Sequence, residues 1–151
     1  MKAVIQRVSS AEVVVEGKGI AKIDKGLFVL LGVMENDTEK DAEILAAKTA
    51  ALRIFEDENE KMNLSVMDID GSILSVSQFT LCADTKKGNR PSFILAKKPQ
   101  EANKLYEYYN DCLMKNGVKS VEKGCFGADM KCEINNDGPV TIILDTDTWR
   151  K

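Results

Sequence analysis

Leu27-Phe28-Val29-Leu30-Leu31-Gly32-Val33 runs without one charged or hydrogen-bonding side chain. Successive side chains of a strand point to opposite faces, so a strand that is apolar throughout suits a place covered on both faces. The run is too short to cross a bilayer, which takes roughly 18 or more apolar residues. The segments before it are also strand-like. Residues 2–8 and 11–16 carry β-branched residues in alternation, and Val13-Val14-Val15 is a strong strand former. Gly17-Lys18-Gly19 reads as a turn and Ile20–Ile23 as a short strand. The opening Met1-Lys2-Ala3-Val4-Ile5-Gln6-Arg7 lacks the apolar block and cleavage site of a signal peptide. A cytoplasmic location without membrane association is expected.

Helical spacing appears twice. Thr38-Glu39-Lys40-Asp41 is a helix-start signature, with Thr38 as the N-cap and Asp41 three residues on. Ala42, Leu45, Ala46 and Thr49 follow on one face, toward an end near Arg53. Pro99 suits a first helical position. Ala102, Leu105, Tyr109, Cys112 and Leu113 line one face up to about Asn116, where Gly117 provides a C-terminal cap. Between the helices, the acidic run 56–60 predicts a loop and Met62–Met67 a short extended piece. Asp70-Gly71 turns the chain into a strand over Ser72–Leu81. Further strands are predicted over 119–122, 131–135 and 140–144. With no linker and no repeat, the 151 residues read as one compact mixed α/β domain spanning 1–151.

The net charge is −3, which argues against extensive duplex binding, because counterion release rewards a basic surface. It leaves room for gripping one end of an RNA through a local patch. Lys86, Lys87, Arg90, Lys97 and Lys98 cluster mid-chain; the plainer reading is a solvated lysine-rich loop. The chain has no histidine and four cysteines, Cys82, Cys112, Cys125 and Cys132, with no C-x-x-C pair. The thiols therefore read as free and buried or partly buried, and no metal or other cofactor is expected.

Without histidine, hydrolytic chemistry falls to hydroxyls, amides, carboxylates, backbone groups or the substrate itself. Ser77-Gln78-Phe79-Thr80-Leu81 closes the predicted 72–81 strand with polar side chains where apolar ones should continue. In an extended segment Leu74, Val76, Gln78 and Thr80 share one face. A threonine hydroxyl with no neighbouring base is a poor nucleophile. Backbone N–H groups around Phe79 and Thr80 are better candidates, as oxyanion donors to a docked ester. The alternative is an ordinary strand end with a satisfied Thr and Gln. Asn136-Asp137-Gly138-Pro139-Val140-Thr141 reads as a hairpin turn, or as a rigid Gly-Pro tip that presents two carbonyl oxygens. Arg7 lies either at the surface or bracing polar backbone. Phe126 and Met130 frame Gly127-Ala128-Asp129 as core residues or as a base-stacking platform.

Together these segments are specific. Ser77–Leu81 is followed by Ala83-Asp84-Thr85-Lys86-Lys87-Gly88-Asn89-Arg90-Pro91-Ser92-Phe93, and Gln6-Arg7-Val8-Ser9, Phe126–Met130 and Asn136–Thr141 stand in matching order. On these motifs the chain resembles the D-aminoacyl-tRNA deacylase family (formerly D-tyrosyl-tRNA deacylases) from its first strand to its last. The resemblance implies a homodimer of small, largely antiparallel, barrel-like α/β subunits with two main helices. It places an active site at each end of the subunit interface.

The implied reaction is hydrolysis of the ester joining a D-amino acid, or glycine, to the 3′-terminal adenosine of tRNA, which is proofreading in translation quality control. By motif, Ser77, Gln78, Phe79 and Thr80 would form the catalytic pocket. Gly138 and Pro139 would be a cis-prolyl motif inserted by the partner subunit, binding the α-amino group and leaving an L side chain no room. Arg7 would fix that motif, and Phe126 and Met130 would hold the adenine. For the chemical step, Thr80 acts as nucleophile, or the tRNA 2′-hydroxyl activates water while backbone donors hold the oxyanion. The lack of histidine and of an evident general base favours the second. Of the rival readings, a related animal-type deacylase would carry Pro-Gln-Ala-Thr in place of Ser77-Gln78-Phe79-Thr80. The related editing domain of some archaeal threonyl-tRNA synthetases would need a synthetase for which the chain has no room. A non-catalytic RNA-end-binding dimer sits poorly with the intact motifs.

Overall fold

In the computed structural model, which describes residues 1–149, the apolar run forms β3 (Gly26–Gly32) at the middle of a six-stranded sheet. The strand order is β2 (Lys18–Ile23), β1 (Lys2–Val15), β3, β6 (Ser72–Ser77), β7 (Ser120–Lys123), and β8 (Lys131–Asp145) also pairs with β1. β1 runs antiparallel to β2, β3 and β8, whereas β3–β6 and β6–β7 are parallel. Parallel neighbours need long crossovers. The helix α1 (Glu39–Ala51) lies in the first crossover and α2 (Pro99–Lys115) in the second. A small ribbon of β4 (Phe55–Glu56) and β5 (Met62–Leu64) brackets the acidic loop.

Two cores explain the uninterrupted apolar run. Leu27, Val29 and Leu31 join a buried cluster with α1 and α2, including Leu45, Tyr106 and Leu113. Phe28 points the other way, into a second cluster with Val8, Val13, Ile23, Leu74 and Val76. Full burial of each such side chain is worth about 1.5–3 kcal/mol, so a charge anywhere along β3 would cost one core or the other. The sheet is barrel-like, with both faces packed, as the family resemblance implied. No helix among the described residues is long and apolar enough to cross a membrane.

The helices begin where the sequence placed them. Asp41 Oδ2 accepts from the Thr38 N–H at 2.9 Å and its hydroxyl at 3.2 Å. α1 ends two residues before Arg53. Gly117, at φ +109°, closes α2, its N–H donating to the Met114 carbonyl. Besides β2, which begins at Lys18 inside the expected turn, and β5, which stops at Leu64, three boundaries differ from expectation. β1 is one strand rather than two, because register shifts against β8 around Val8 absorb the Ser9-Ser10 interruption. β6 stops at Ser77, and Phe79–Cys82 forms a 3₁₀ turn instead of continuing the strand. β8 is continuous through Asn136–Thr141, so the predicted hairpin turn there is absent. Asn136 faces Val8 and Thr141 faces Gln6, which leaves Asp137, Gly138, Pro139 and Val140 bulging out opposite Arg7 alone. Proline is tolerated because the bulge asks no ladder hydrogen bond of it.

Candidate active site

The end of β6 is shaped by its neighbour. The Gln78 N–H still donates to the Leu31 carbonyl at 2.7 Å, and there the ladder ends. The chain turns tightly over Gly32, where an added Cβ would sit 2.9 Å from Leu81 Cβ and 3.3 Å from the Gln78 carbonyl oxygen. Only glycine lets the 3₁₀ turn approach β3 this closely. Within the turn Leu81 N–H bonds the Gln78 carbonyl and Ala83 N–H the Thr80 carbonyl. The first amides of a helical turn, here those of Phe79 and Thr80, have no carbonyl behind them to bond within the turn.

Gln78 and Thr80 thus meet across a turn, not along one strand face as expected. Gln78 Nε2 donates to Thr80 Oγ1 at 2.6 Å. The hydroxyl is exposed and takes a donor, not a base, as its neighbour. The thiols nearby are no better as nucleophiles. Burial, with the Asp37 charge adding to it, raises the Cys82 thiol, whose Sγ donates to the Val33 carbonyl at 3.4 Å. Burial likewise raises Cys132. All four cysteines are free, and Cys125, contrary to the expectation of burial, is exposed.

Ser77, Gln78 and Phe79 line an open cavity of about 730 Å³ together with Phe126 and Met130. Phe126 packs against the first core cluster and Met130 against the second, and each also faces the cavity. Tyr106, which the sequence reading passed over, supports this wall. Its buried hydroxyl donates to the Ser75 carbonyl at 2.6 Å, and its ring lies against Phe126 with centroids 6.2 Å apart. The same Ser75 carbonyl accepts from the Gly124 N–H at 3.0 Å. Tyr106 therefore ties the start of the 124–130 segment to the strand that ends at Ser77. Burial pushes its pKa up to about 12, which keeps it a donor. On the opposite rim Phe93 meets Phe79 edge-on at 5.0 Å, and Ile94, Lys97 and Lys98 complete the wall. Helical spacing alone signalled Tyr106 only as a neighbour of Leu105; its role depends on a carbonyl 31 positions away.

Arg7, Gly138 and Pro139 lie elsewhere. Arg7 is 8% exposed. Its Nε donates to the Asp137 carbonyl at 3.1 Å and its Nη1 to the Ile54 carbonyl at 2.9 Å. It braces backbone, one of the two roles open to it from sequence. The Gly138–Pro139 peptide bond is cis, and Gly138 has φ +128°. Oriented to satisfy its neighbours, the Asn136 amide donates to the Val140 and Arg7 carbonyls and accepts from Thr141 and Gln6, each at 3.0–3.1 Å. Arg7, Leu27 and Ile73 stand in one row across β1, β3 and β6. From the bulge to Ser77 is three strand spacings across and four residues along, roughly 20 Å over the sheet. One subunit does not bring this tip to its own cavity.

A family model described as D-Tyr-tRNA(Tyr) deacylase matches residues 4–145. The chain belongs to this family. A D-aminoacyl-tRNA deacylase of Koribacter versatilis is 56% identical over 146 residues, covering 97% of this chain and 97% of that protein. A solved structure described as c-Myc DNA Unwinding Element Binding Protein superposes with a TM-score of 0.91 at 46% identity, over 96% of this chain and 98% of that one. A probable eukaryotic D-amino acid tRNA deacylase superposes at a TM-score of 0.80 over 95% of this chain and 97% of the other. At 16% identity it speaks for the fold alone.

Proposed function

We propose that the protein is a D-aminoacyl-tRNA deacylase, hydrolysing the ester between a D-amino acid, or glycine, and the 3′-terminal adenosine of tRNA in the cytoplasm. The observation that carries this reading is the shared cavity of Ser77, Gln78 and Phe79 with Phe126 and Met130, in a chain of this family. The terminal adenine sits against Phe126 and Met130, and the ester reaches the Ser77–Thr80 turn. The amides of Phe79 and Thr80 donate to the oxyanion as water adds to the carbonyl carbon. The substrate's 2′-hydroxyl activates that water, and the ribose 3′-oxygen leaves with a proton. Thr80 positions the Gln78 amide rather than attacking, since its oxygen faces a donor at 2.6 Å.

The stereochemical filter is the Gly138–Pro139 tip of a second subunit. Its two carbonyls bind the α-ammonium and wall off the space an L side chain would need; glycine passes because it has nothing to clash. Attraction by one methyl-sized contact discriminates by only about 1–3 kcal/mol, and a steric wall can exceed that. The separation of roughly 20 Å between tip and cavity along one sheet supports delivery by the partner. So does apolar surface beside the cavity, with Phe79 57% and Ile94 77% exposed. Arg7 holds the tip by its Asp137 carbonyl. Incubation with D-Tyr-tRNA and L-Tyr-tRNA tests the reading: the D-ester is hydrolysed and the L-ester spared. Equal rates on the two, or none on either, defeat it.

A further inference from the structure

The basic segment between the 3₁₀ turn and α2 projects from the chain just before Phe93 and Ile94, which line the cavity. Asp84 and Ser92 exchange backbone hydrogen bonds at 2.8 and 2.9 Å, which closes residues 84–92 into a hairpin loop. Asp84 Oδ1 also takes the Lys86 N–H at 3.0 Å. At the tip Gly88 turns with φ +72°, and a Cβ there would meet nothing within 4 Å, so the tip stands clear of the body. The base is anchored by Phe93, whose ring contacts Phe79. Lys86, Lys87 and Arg90 are exposed, and among the described residues none of them forms an ion pair. Lys98 on the same rim lines the cavity, and Lys97 does so with its Nζ donating to the Glu35 carbonyl at 2.7 Å. Asp129 is the acidic residue of the lining, on the Phe126–Met130 side.

In a chain of net charge −3, this concentration of unpaired cations at one edge of one cavity makes a strongly asymmetric field. We propose that Lys86, Lys87 and Arg90 form a seat for the phosphates of the RNA strand that leads into the cavity. The identity of that strand as the tRNA 3′ end rests on the deacylase reading above. Lysine and arginine on a backbone-closed loop meet phosphates as charges and carry no base readout. The seat therefore grips different tRNAs alike, while chirality is judged elsewhere.

The test is the triple variant K86A/K87A/R90A, checked for the parental circular dichroism spectrum. Its affinity for an uncharged RNA hairpin bearing the tRNA 3′ single strand is measured by fluorescence anisotropy from 50 to 200 mM salt. Three single-strand phosphate contacts contribute about 0.7 each to the slope of log K against log salt. The variant's slope should thus be shallower by about 2, with affinity at low salt down by roughly tenfold or more. K86R/K87R should keep the parental slope. A triple variant whose slope and affinity match the parent overturns the seat, as does K86R/K87R losing the slope.

In the kinetic arm, the ratio of kcat/KM on D-Tyr-tRNA to that on D-tyrosyl-adenosine should fall at least about tenfold in the triple variant. An unchanged ratio also overturns the seat. If the parent protein hydrolyses neither ester, the deacylase reading fails, and the binding arm still decides the seat.

Discussion

Gly138→Ala adds one carbon at a place with no room for it. The Cβ would lie 2.9 Å from Val140 Cγ2, 3.0 Å from Arg7 Nη2 and 3.1 Å from the Val140 nitrogen. Arg7 has little freedom to retreat, since its Nε and Nη1 are held by the Asp137 and Ile54 carbonyls. The backbone at φ +128° adds strain of about 1–3 kcal/mol for a residue with a Cβ. Losing one charge-assisted hydrogen bond from Arg7 costs about 1.5–3 kcal/mol more. If the bulge holds its shape, stability falls by about 2.5–6 kcal/mol, a shift of roughly 1–3 M in the urea midpoint at a slope of about 2 kcal/mol per M. If it yields instead, most of that is recovered by moving the tip. Then kcat/KM on D-Tyr-tRNA and the D-over-L ratio both fall. Urea unfolding at fixed protein concentration, with deacylation of both esters, reads the two channels together. A variant within about 0.5 kcal/mol of the parent and with unchanged D-over-L selectivity would refute the reasoning.

Two further substitutions separate roles around the cavity. Thr80→Ala should retain substantial deacylase activity, within about tenfold of the parent in kcat, whereas loss of a true nucleophile costs roughly 10⁴–10⁶; single-turnover kinetics and a search for an acyl-Thr80 adduct check it, and a trapped adduct would restore the nucleophile. Tyr106→Phe keeps the ring against Phe126 but leaves the Ser75 carbonyl with one donor, at a cost of about 1 kcal/mol. Because Tyr106 titrates near 10 when unfolded and near about 12 when folded, its contribution is complete below pH 10 and lost as pH rises through the folded value. Stability of the parent should thus decline more steeply between pH 10 and about 12 than that of Tyr106→Phe, measured by urea midpoints across that range; parallel declines would show that the phenol does not titrate as described.

Much of the fold was legible because local chemistry and tertiary context agree. The Leu27–Val33 run anticipates two cores, Thr38 with Asp41 marks a helix start, and Pro99 with Gly117 brackets α2. What stayed hidden depends on partners far along the chain. Nothing local in Ser77–Leu81 says that Gly32 allows a turn where alternation suggests a strand. Asp-Gly-Pro is a sound turn signal, yet both flanks pair with β1, so the segment becomes a bulge opposite Arg7 and not a reversal. The motifs exposed the family; the distance between tip and cavity emerged only from strand register.

The claim that one active site takes its pocket from one subunit and its stereochemical tip from the other is tested most directly by complementation. Ser77→Trp fills the cavity and Gly138→Val displaces the tip, so each homodimer should be inactive on D-Tyr-tRNA. In a mixed dimer, the intact pocket of the Gly138→Val subunit receives the intact tip of the Ser77→Trp subunit. Equal amounts, unfolded and refolded together, yield mixed dimers as half of all pairs, each with one working site of two. About a quarter of the parental activity should return. No recovery, with mixed dimers verified by mass spectrometry, would contradict the shared site.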